Sequence, residues 1–324
     1  MKPPKRKIRL GILFGGRSSE HEISLLSARS IMKAVDTKRY VITPIKVPKN
    51  GRFDPKMLRG YDVVFPVMHG TYGEDGSVQG LLRMLDLPFV GPDILGSAVG
   101  MDKDVAKRLL RDAGIPVADF FALGRGDTYS VSKIWKRLGK PVFVKPANQG
   151  SSVGVAKAKN NKELHAAIAD AFRYDDKILI EEAVPGREIE VAVLGNETPE
   201  ASVPGEVVPH HEFYSYEAKY LDEHGAGLSI PATLSKPLAK KAQGLAIRVF
   251  KTLALEGMAR VDFFMKKNGA FVVNEVNTIP GFTKISMYPK LWEASGVPYP
   301  KLIDRLVQLA LDRQTRRKRL KTSV

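Results

Sequence analysis

Residues 258–277 read MARVDFFMKKNGAFVVNEVN, a stretch that predicts two β-strands joined by a tight turn. Both flanking runs are largely apolar, and Asn-Gly between two alternating runs is a strong hairpin signal. Asp262 lies on the first strand, and Glu275 and Asn277 lie two apart on the second, so that the latter share one face. Two carboxylates and an amide that converge across a hairpin suit Mg²⁺. The alternative is a polar outer face, but the apolar neighbours predict partial burial, which favours a metal.

The first hundred residues alternate strand and helix patterns. Ser19 and Glu22 have capping-box spacing ahead of the first helix. Such alternation is typical of a parallel sheet with covered faces, so residues 1–100 are predicted to form a Rossmann-like domain. The predicted strands are 8–14, Tyr40–Val47, 62–68 and 87–90, and the predicted helices are 23–35 and 77–85.

The pattern changes after residue 100. The glycine-rich segment Gly150-Ser-Ser-Val-Gly154 separates predicted strands at 141–145 and 153–158. This connection is too short for a crossover helix, so the two strands are expected to be antiparallel. Residues 101–192 are therefore predicted to form a small α+β unit. Its other predicted elements are helices at 101–113 and 162–172 and strands at Lys177–Glu182 and 187–194.

The last part of the chain, residues 193–324, contains the hairpin between two predicted helices, at 237–255 and 301–311. A long polar and aromatic loop at 210–229 precedes them, and loops of this kind often act as lids or binding loops. The fold class is therefore an α/β parallel-sheet domain followed by two α+β units with antiparallel sheets.

Composition narrows the function classes. The 324-residue chain has 44% hydrophobic and 27% charged residues, as ordinary globular proteins do, and it has no cysteine. Thiol catalysis, Cys-ligated zinc and Fe–S clusters are thereby excluded, and a cytoplasmic location is compatible with this absence. No run of 18 apolar residues occurs, so we expect no membrane span.

The net charge of +16 is concentrated at the two ends of the chain. Eleven basic residues lie within residues 1–9 and 313–321, and the rest of the chain carries a net charge of only +5. Basic ends can contact nucleic acid, but they are more often solvated ends without a partner. The body lacks the continuous basic surface of a dedicated nucleic-acid-binding protein, so at most non-specific contacts of the ends are expected.

Other candidate sites follow the predicted strands. The segment 11–18 resembles a P-loop but lacks its lysine, and no G-x-G-x-x-G follows a strand, which argues against a nicotinamide dinucleotide. The loop 150–154 can form an anion-binding nest with Lys145 just upstream, although such a loop is usually only a turn. The cluster 18–22 lies at the carboxyl end of the first strand, where ligands bind, but can equally cap a helix.

Taken together and in this order, these segments resemble the D-alanine–D-alanine ligase family of ATP-grasp enzymes. The resemblance spans nearly the whole chain except its basic ends. The matching segments are GGRSSEHEISL (15–25), HGTYGEDGSVQG (69–80), MDK (101–103), VKPANQGSSVG (144–154), YSYEAKY (214–220), ARVDFF (259–264) and NEVNTIPGFTKIS (274–286).

The resemblance implies an ATP site between the central and C-terminal units. Lys103 and Lys145 would contact the phosphates, and Lys219 on the lid would reach the transferred phosphoryl group. The adenine edge would lie against Glu181–Val184, where Glu182 replaces a more usual lysine. Two Mg²⁺ ions, or Mn²⁺, would be held by Asp262, Glu275 and Asn277. The full implied set for ATP is Lys103, Lys145, Ser151, Ser152, Glu181, Glu182, Val184, Glu188 for the ribose, Lys219, Asn274 and Glu275.

For the substrates, the resemblance implies two D-alanine molecules joined through an acyl phosphate, for peptidoglycan precursor synthesis. Glu20 would hold the first ammonium and form a hydrogen-bonded set with Ser151 and Tyr220. Arg260 and the backbone N–H of Gly281 would stabilise the oxyanion. His69 would lie near the substrate, Ser286 would take the second carboxylate, and Met287, where leucine is usual, would line the second pocket.

Two further expectations come from the resemblance. The alternative activity is another ATP-grasp ligation, such as D-alanine to D-lactate, but the lid sequence YEAKY at 216–220 favours an amine acceptor. A homodimer is what the family suggests.

Overall fold

Three β-sheets organise the chain in the computed structural model, which describes residues 6–209, 226–283 and 285–321. The first sheet is parallel, as the alternating pattern predicted, and its central strand β1 (Ile8–Gly15) lies between β2 (Tyr40–Val47) and β3 (Val63–Pro66). The predicted strand at 87–90 is reduced to an isolated parallel bridge, in which residues 88–90 exchange two backbone hydrogen bonds with Val64. The elements are β1 (Ile8–Gly15), α1 (His21–Ala34), β2 (Tyr40–Val47), a 3₁₀ turn (Pro55–Leu58), β3 (Val63–Pro66), α2 (Ser77–Met84) and the unpredicted α3 (Ile94–Met101).

The second sheet is four-stranded and antiparallel, in the order β4-β7-β5-β6. The predicted antiparallel pairing across the glycine-rich loop is confirmed, since Val142 pairs with Ala158. The predicted helix 101–113 is divided at Asp102, whose side chain accepts a hydrogen bond from the Val105 N–H and so starts a new helix. The elements are α4 (Lys103–Asp112), β4 (Phe120–Gly124), α5 (Val131–Leu138), β5 (Val142–Pro146), β6 (Ala156–Ala158), α6 (Asn161–Ala171) and β7 (Lys177–Glu182), of which β4 and α5 were not predicted.

The third sheet has six strands in the order β11-β10-β8-β12-β13, with β9 paired to β8. Strand β8, assigned above to the central unit, pairs with β12 and β10 and therefore belongs to this sheet. Unit boundaries at 100 and 192 stay a prediction. The elements are β8 (Arg187–Gly195), β9 (Glu200–Ala201), β10 (Gly205–Pro209), β11 (Ala226–Ser229), α7 (Lys236–Thr252), β12 (Gly257–Met265), β13 (Phe271–Asn277), α8 (Met287–Ala294) and α9 (Tyr299–Arg317). Of these, β9, β10, β11 and α8 were not predicted, and β11 lies within the segment 210–229 that was predicted to be a loop.

One hydrophobic core joins the first sheet to the C-terminal unit. Phe65 on β3 meets Phe282 edge to face, with ring centroids 5.4 Å apart, and Phe282 also packs on Tyr288. All three side chains are fully buried. Because this core holds the two units together, the carboxyl ends of β1 and β3 face the end of the β12–β13 hairpin, and a cavity forms there.

The expectation of a solvated basic C-terminal end is wrong for residues 313–317. Helix α9 continues through them, and Arg313 is buried, with its guanidinium donating to the carbonyls of Phe89 and Gly91 at 2.6 Å each. Arg317 pairs with Asp93. These cations therefore stabilise the contact between the first domain and the last helix. Among the described residues, no helix is both long and apolar enough to cross a bilayer.

Candidate active site

A cavity of about 350 Å³ lies where the three units meet. Its walls come from the loops after β1 and β3, the glycine-rich loop, strand β8 and the end of the β12–β13 hairpin. The predicted residues that line it are Glu20, His69, Ser151, Glu188, Arg260, Asp262, Asn274, Glu275, Asn277, Gly281, Ser286 and Met287. The structure thus brings together side chains that the sequence places up to 267 residues apart.

On one side of the cavity, a buried carboxylate is held in a close-fitting cradle. Glu20 precedes helix α1, and the Ser151 hydroxyl of the glycine-rich loop donates a hydrogen bond to it. A methyl group at Gly70 or Gly150 would come within 2.7 or 2.8 Å of its Oε2, so both loops approach it as only glycine can. An anion fixed in this way can receive an ammonium group.

His69 forms part of the cavity wall but is occupied by protein partners. Its Nδ1 lies 2.9 Å from the Ile279 carbonyl oxygen, and its Nε2 lies 3.1 Å from the Ser27 hydroxyl. Glu74 Oε1 accepts from the Ile279 N–H. Burial disfavours charge on His69, but the carboxylate of Glu74, whose Oε1 lies 3.7 Å from Nδ1, outweighs it and raises the pKa of His69. With both ring nitrogens engaged, His69 serves to hold the loop 69–76 against residues 279–282.

The predicted oxygen ligands lie at the open end of the β12–β13 hairpin, away from its turn. Asp262 pairs across the strands with Glu275, and the Asn277 side-chain amide donates to Asp262 at 2.9 Å. Arg260 also donates to both Asp262 oxygens, at 2.8 and 2.7 Å, and its Nε lies 2.8 Å from Glu190 Oε2. The three predicted ligands therefore line the same cavity, and Arg260 supplies the positive charge beside Asp262.

These donors fit Mg²⁺ in chemistry, since two carboxylates and an amide are hard oxygen ligands. Within residues 6–209, 226–283 and 285–321, no three Asp, Glu, His or Cys side chains are grouped so that they could hold a metal ion. Water and phosphate oxygens would therefore have to complete the coordination, as is usual for Mg²⁺ beside a nucleotide.

Buried lysines adjoin the hairpin. Lys103 Nζ donates to the Gln149 carbonyl at 2.6 Å and lies 3.9 Å from Glu275 Oε2. Lys145 Nζ lies 2.7 Å from Glu181 Oε2 and 3.5 Å from Asn274 Oδ1. Burial lowers the pKa of Lys103, although the charge of Glu275 opposes it. Cations held in a protected position beside acidic groups can receive a polyphosphate.

The predicted adenine contacts lie at the end of β7. Glu181 is buried between lysines, whereas Glu182 accepts a hydrogen bond from the Asp119 N–H at 3.0 Å. Val184 follows the strand in the loop to β8, where Glu188 reaches the cavity. Ser152, like Ser151, has a left-handed backbone in the glycine-rich loop, with φ of 61°.

The predicted second-substrate residues surround the start of helix α8. The Ser286 hydroxyl lies 2.8 Å from the Thr283 hydroxyl, and a methyl at Gly281 would come within 2.8 Å of Ser286 Oγ. Met287 is buried against Gly205. Lys219 and Tyr220, together with most of the loop 210–229, lie outside the described residues.

Three residues near the site were not predicted: Lys107, Glu74 and Glu190. Lys107 Nζ lies 3.1 Å from Glu181 Oε1. Helical spacing was the available signal, because Lys107 follows Lys103 by four positions and so shares its face. Glu190 follows Glu188 by two positions in a strand, which also places both on one face.

Comparison with protein families gives two matches. The model described as D-ala D-ala ligase C-terminus matches residues 109–308, and the one described as D-ala D-ala ligase N-terminus matches 9–59 and 54–92. A D-alanine–D-alanine ligase of Oceanobacillus iheyensis is 49% identical over 361 aligned positions, which cover 98% of this chain and 99% of that protein.

Solved structures agree with the sequence comparisons. A D-alanine–D-alanine ligase from Coxiella burnetii superposes with a TM-score of 0.87 at 40% identity and covers 96% of both chains. The VanG D-Ala:D-Ser ligase from Enterococcus faecalis gives 0.85 at 32% identity, over 94% of this chain and 100% of that one. A Bacillus anthracis D-alanine–D-alanine ligase complexed with ATP gives 0.83 at 28% identity, over 96% and 99%. The protein therefore belongs to the D-alanine–D-alanine ligase family.

Proposed function

We propose that this protein joins two D-alanine molecules to D-alanyl-D-alanine at the expense of ATP. The observation that carries the proposal is the single cavity in which the Glu20–Ser151 pair faces the Arg260–Asp262–Glu275 end of the hairpin. An anion able to hold an ammonium group then lies opposite groups able to hold nucleotide phosphates. The similarity to D-alanine–D-alanine ligases over nearly the whole chain supports the same reaction.

The reaction has two steps. A carboxylate oxygen of the first D-alanine attacks the γ-phosphorus of ATP, the bond to the β-phosphate oxygen breaks, and an acyl phosphate and ADP form. The amine of the second D-alanine then attacks the acyl carbon, loses a proton, and expels inorganic phosphate. Exclusion of water by a closed site would protect the acyl phosphate from hydrolysis.

The residues divide this work by charge. Glu20 would hold the ammonium of the first D-alanine, and Lys103 and Lys145 would neutralise the phosphates. Arg260 and the backbone N–H of Gly281 would stabilise the oxyanion that forms at the acyl carbon. Ser286 would bind the carboxylate of the second D-alanine, beside the apolar side of Met287.

Asp262, Glu275 and Asn277 would hold the magnesium ions. When bound, Mg²⁺ neutralises phosphate charge and polarises the phosphoryl group as a Lewis acid. Replacing Glu275 by Gln keeps its shape and removes one anionic ligand. We expect Glu275→Gln to lose turnover by at least about 100-fold while its thermal unfolding is unchanged. The exposed Glu293→Gln is the matched control, and full activity of Glu275→Gln would contradict the metal assignment.

The primary test measures phosphate release from ATP and Mg²⁺ with D-alanine, with L-alanine or with no amino acid, and identifies products by mass. Release only with D-alanine, accompanied by a dipeptide, is the expected result. D-Serine and D-lactate as second substrates test the alternative of another acceptor, which the similarity to a D-Ala:D-Ser ligase makes worth including. Release that does not depend on D-alanine would reject the proposed substrate.

We also propose a homodimer, a cytoplasmic location and a role in peptidoglycan precursor synthesis. Apolar side chains are exposed on the adjacent helices α2 and α3, including Met84 at 86% and Leu95 at 61% exposure, and a second copy could cover them. Met84→Asp with Leu95→Asp should then shift the sedimentation coefficient to that of a monomer.

The cytoplasmic location is proposed because the reaction requires ATP. Cell fractionation tests it.

A further inference from the structure

Lys107 is a buried cation to which the reaction described above assigns no role. It lies on α4 one turn beyond Lys103 and is only 2% exposed. Its Nζ lies 3.1 Å from Glu181 Oε1, while Lys145 Nζ lies 2.7 Å from Glu181 Oε2. One carboxylate is therefore held between two ammonium groups, out of contact with bulk water.

The charges in this cluster can be assigned. Burial lowers the pKa of Lys107 to about 8, against the attraction of Glu181, so the side chain remains mainly protonated at neutral pH. Burial opposes ionisation of Glu181, but the charges of Lys107 and Lys145 outweigh it and hold the pKa of Glu181 below its usual value. Glu181 is thus an anion that two cations share.

The shared pairing affects Lys145, because Lys145 lies near a second group besides Glu181. Its ammonium group pairs with Glu181 and also lies 3.5 Å from Asn274 Oδ1, at the hairpin end. If the Lys145 ammonium group turned towards a polyphosphate at the hairpin, its contact with Glu181 would lengthen. A buried carboxylate left without a counter-charge is strongly unfavourable, so a lone Glu181–Lys145 pair would resist that change.

We propose that Lys107 is a positioning residue that keeps Glu181 neutralised and so releases Lys145 for the phosphates of the nucleotide. The inference rests on the proposed function, because it takes ATP as the ligand of Lys145. Lys107 itself is given no contact with the nucleotide.

The test compares nucleotide binding with nucleoside binding. Dissociation constants for the non-hydrolysable analogue AMPPNP and for ADP are measured by calorimetry, and that for adenosine by displacement of a fluorescent nucleotide. Lys107→Met should weaken AMPPNP and ADP by about tenfold or more, the worth of one charge-assisted contact, and adenosine by less than about twofold. Arg108→Met, which removes a 58%-exposed cation from the same helix, is the matched control and should leave all three unchanged.

A double-mutant cycle identifies the route of the effect. In a Lys145→Met background, Lys107→Met should change AMPPNP affinity by less than about twofold, since no ammonium group remains to be released. If Lys107→Met does not fold, Lys107→Arg, which keeps the charge, is compared with Lys107→Gln, which removes it; AMPPNP affinity should fall in Lys107→Gln and be retained in Lys107→Arg, and equal affinities would overturn the proposal.

The outcomes separate the two proposals. Failure of the wild-type protein to bind AMPPNP would reject the proposed function itself. Wild-type binding that Lys107→Met leaves intact would overturn the role of Lys107. An equal loss of adenosine and AMPPNP affinity, or a full loss that persists in the Lys145→Met background, would overturn it as well.

Discussion

Replacing Arg313 by Ala tests whether the basic end of helix α9 is structural. Arg313 is 2% exposed, donates to the carbonyls of Phe89 and Gly91, and has its guanidinium carbon 4.4 Å from the centroid of the Phe89 ring. Glu256 Oε2 lies 3.6 Å away. Burial lowers the pKa of Arg313 to about 10, against the charge of Glu256, so the side chain is charged at neutral pH.

The expected loss in the free energy of unfolding follows from the groups that lose a partner when Arg313 is replaced. Hydrogen bonds to a charged donor are worth about 1.5–3 kcal/mol each, but the cost of burying the guanidinium offsets part of that. Removal also leaves two buried carbonyls without this donor and Glu256 without this cation. Glu256 keeps Arg316 and Arg317 as cationic partners, so most of the loss comes from the two hydrogen bonds to the carbonyls. We therefore expect Arg313→Ala to lower the free energy of unfolding by about 3–5 kcal/mol.

Thermal unfolding followed by circular dichroism measures the effect, with an expected fall in Tm of about 4–7 °C for a chain of this length. Hydrogen exchange should quicken in residues 86–93, which Arg313 fastens to α9. The matched control is Arg319→Ala, an exposed position expected to stay within about 0.5 kcal/mol of the parent. A Tm for Arg313→Ala equal to that of Arg319→Ala would refute the reasoning and restore the view of a solvated basic end.

Two further predictions follow from local geometry. Gly150→Ala puts a methyl group 2.8 Å from Glu20 Oε2, so we expect the KM for D-alanine to rise about tenfold with little change in Tm or in the KM for ATP; an unchanged KM for D-alanine would contradict the cradle around Glu20. In Arg137→Ala, Asp119 loses the hydrogen bonds that hold its pKa below its usual value. A carboxyl group whose pKa is lower in the folded state than in the unfolded state, where it is about 4, stabilises the protein above that pH. This stabilisation is lost as the pH falls through the pKa of the folded state. The free energy of unfolding in urea should therefore be lower in the variant by at most about 1 kcal/mol at pH 7, and the difference should shrink towards pH 3. A deficit that does not change with pH would assign it instead to packing of Arg137 on Phe121.

Local sequence patterns predicted much of this fold, because the elements concerned form with few contacts to residues distant in the sequence. The hairpin is the clearest case: the turn Lys266–Gly269 closes as expected, with the Gly269 N–H donating to the Lys266 carbonyl. Once that turn is set, Asp262 must lie opposite or close to Glu275, and the observed pairing has just one bulge. The antiparallel pairing of β5 with β6 likewise followed from the short loop between them.

Errors occurred where an element has a weak pattern of its own. Helix α3, ILGSAVGM, is apolar on most sides and contains two glycines, so it shows no helical stripe. Its position between the first domain and the loop before Gly257 supplies the packing that stabilises it, since a methyl at Gly96 would come within 2.6 Å of the Ala254 carbonyl. Strand β8 was assigned to the central unit because it follows β7 directly, yet its pairing with β12 places it elsewhere.

The sequence by itself determined most of the strands and helices, although not α3, β4, α5, β9–β11 or α8, and it determined the hairpin, the glycine-rich loop and, through its motifs, the family. Periodicity shows which face of an element is buried, but it does not show what that face packs against. The contact of Ser151 with Glu20 spans 131 residues, and that of Arg313 with Gly91 spans 222. Only the tertiary structure decided that Arg313 is buried, that both nitrogens of His69 are engaged, and that Glu181 is shared by two lysines. Each arrangement depends on polar groups far apart in the sequence that folding brings together away from water.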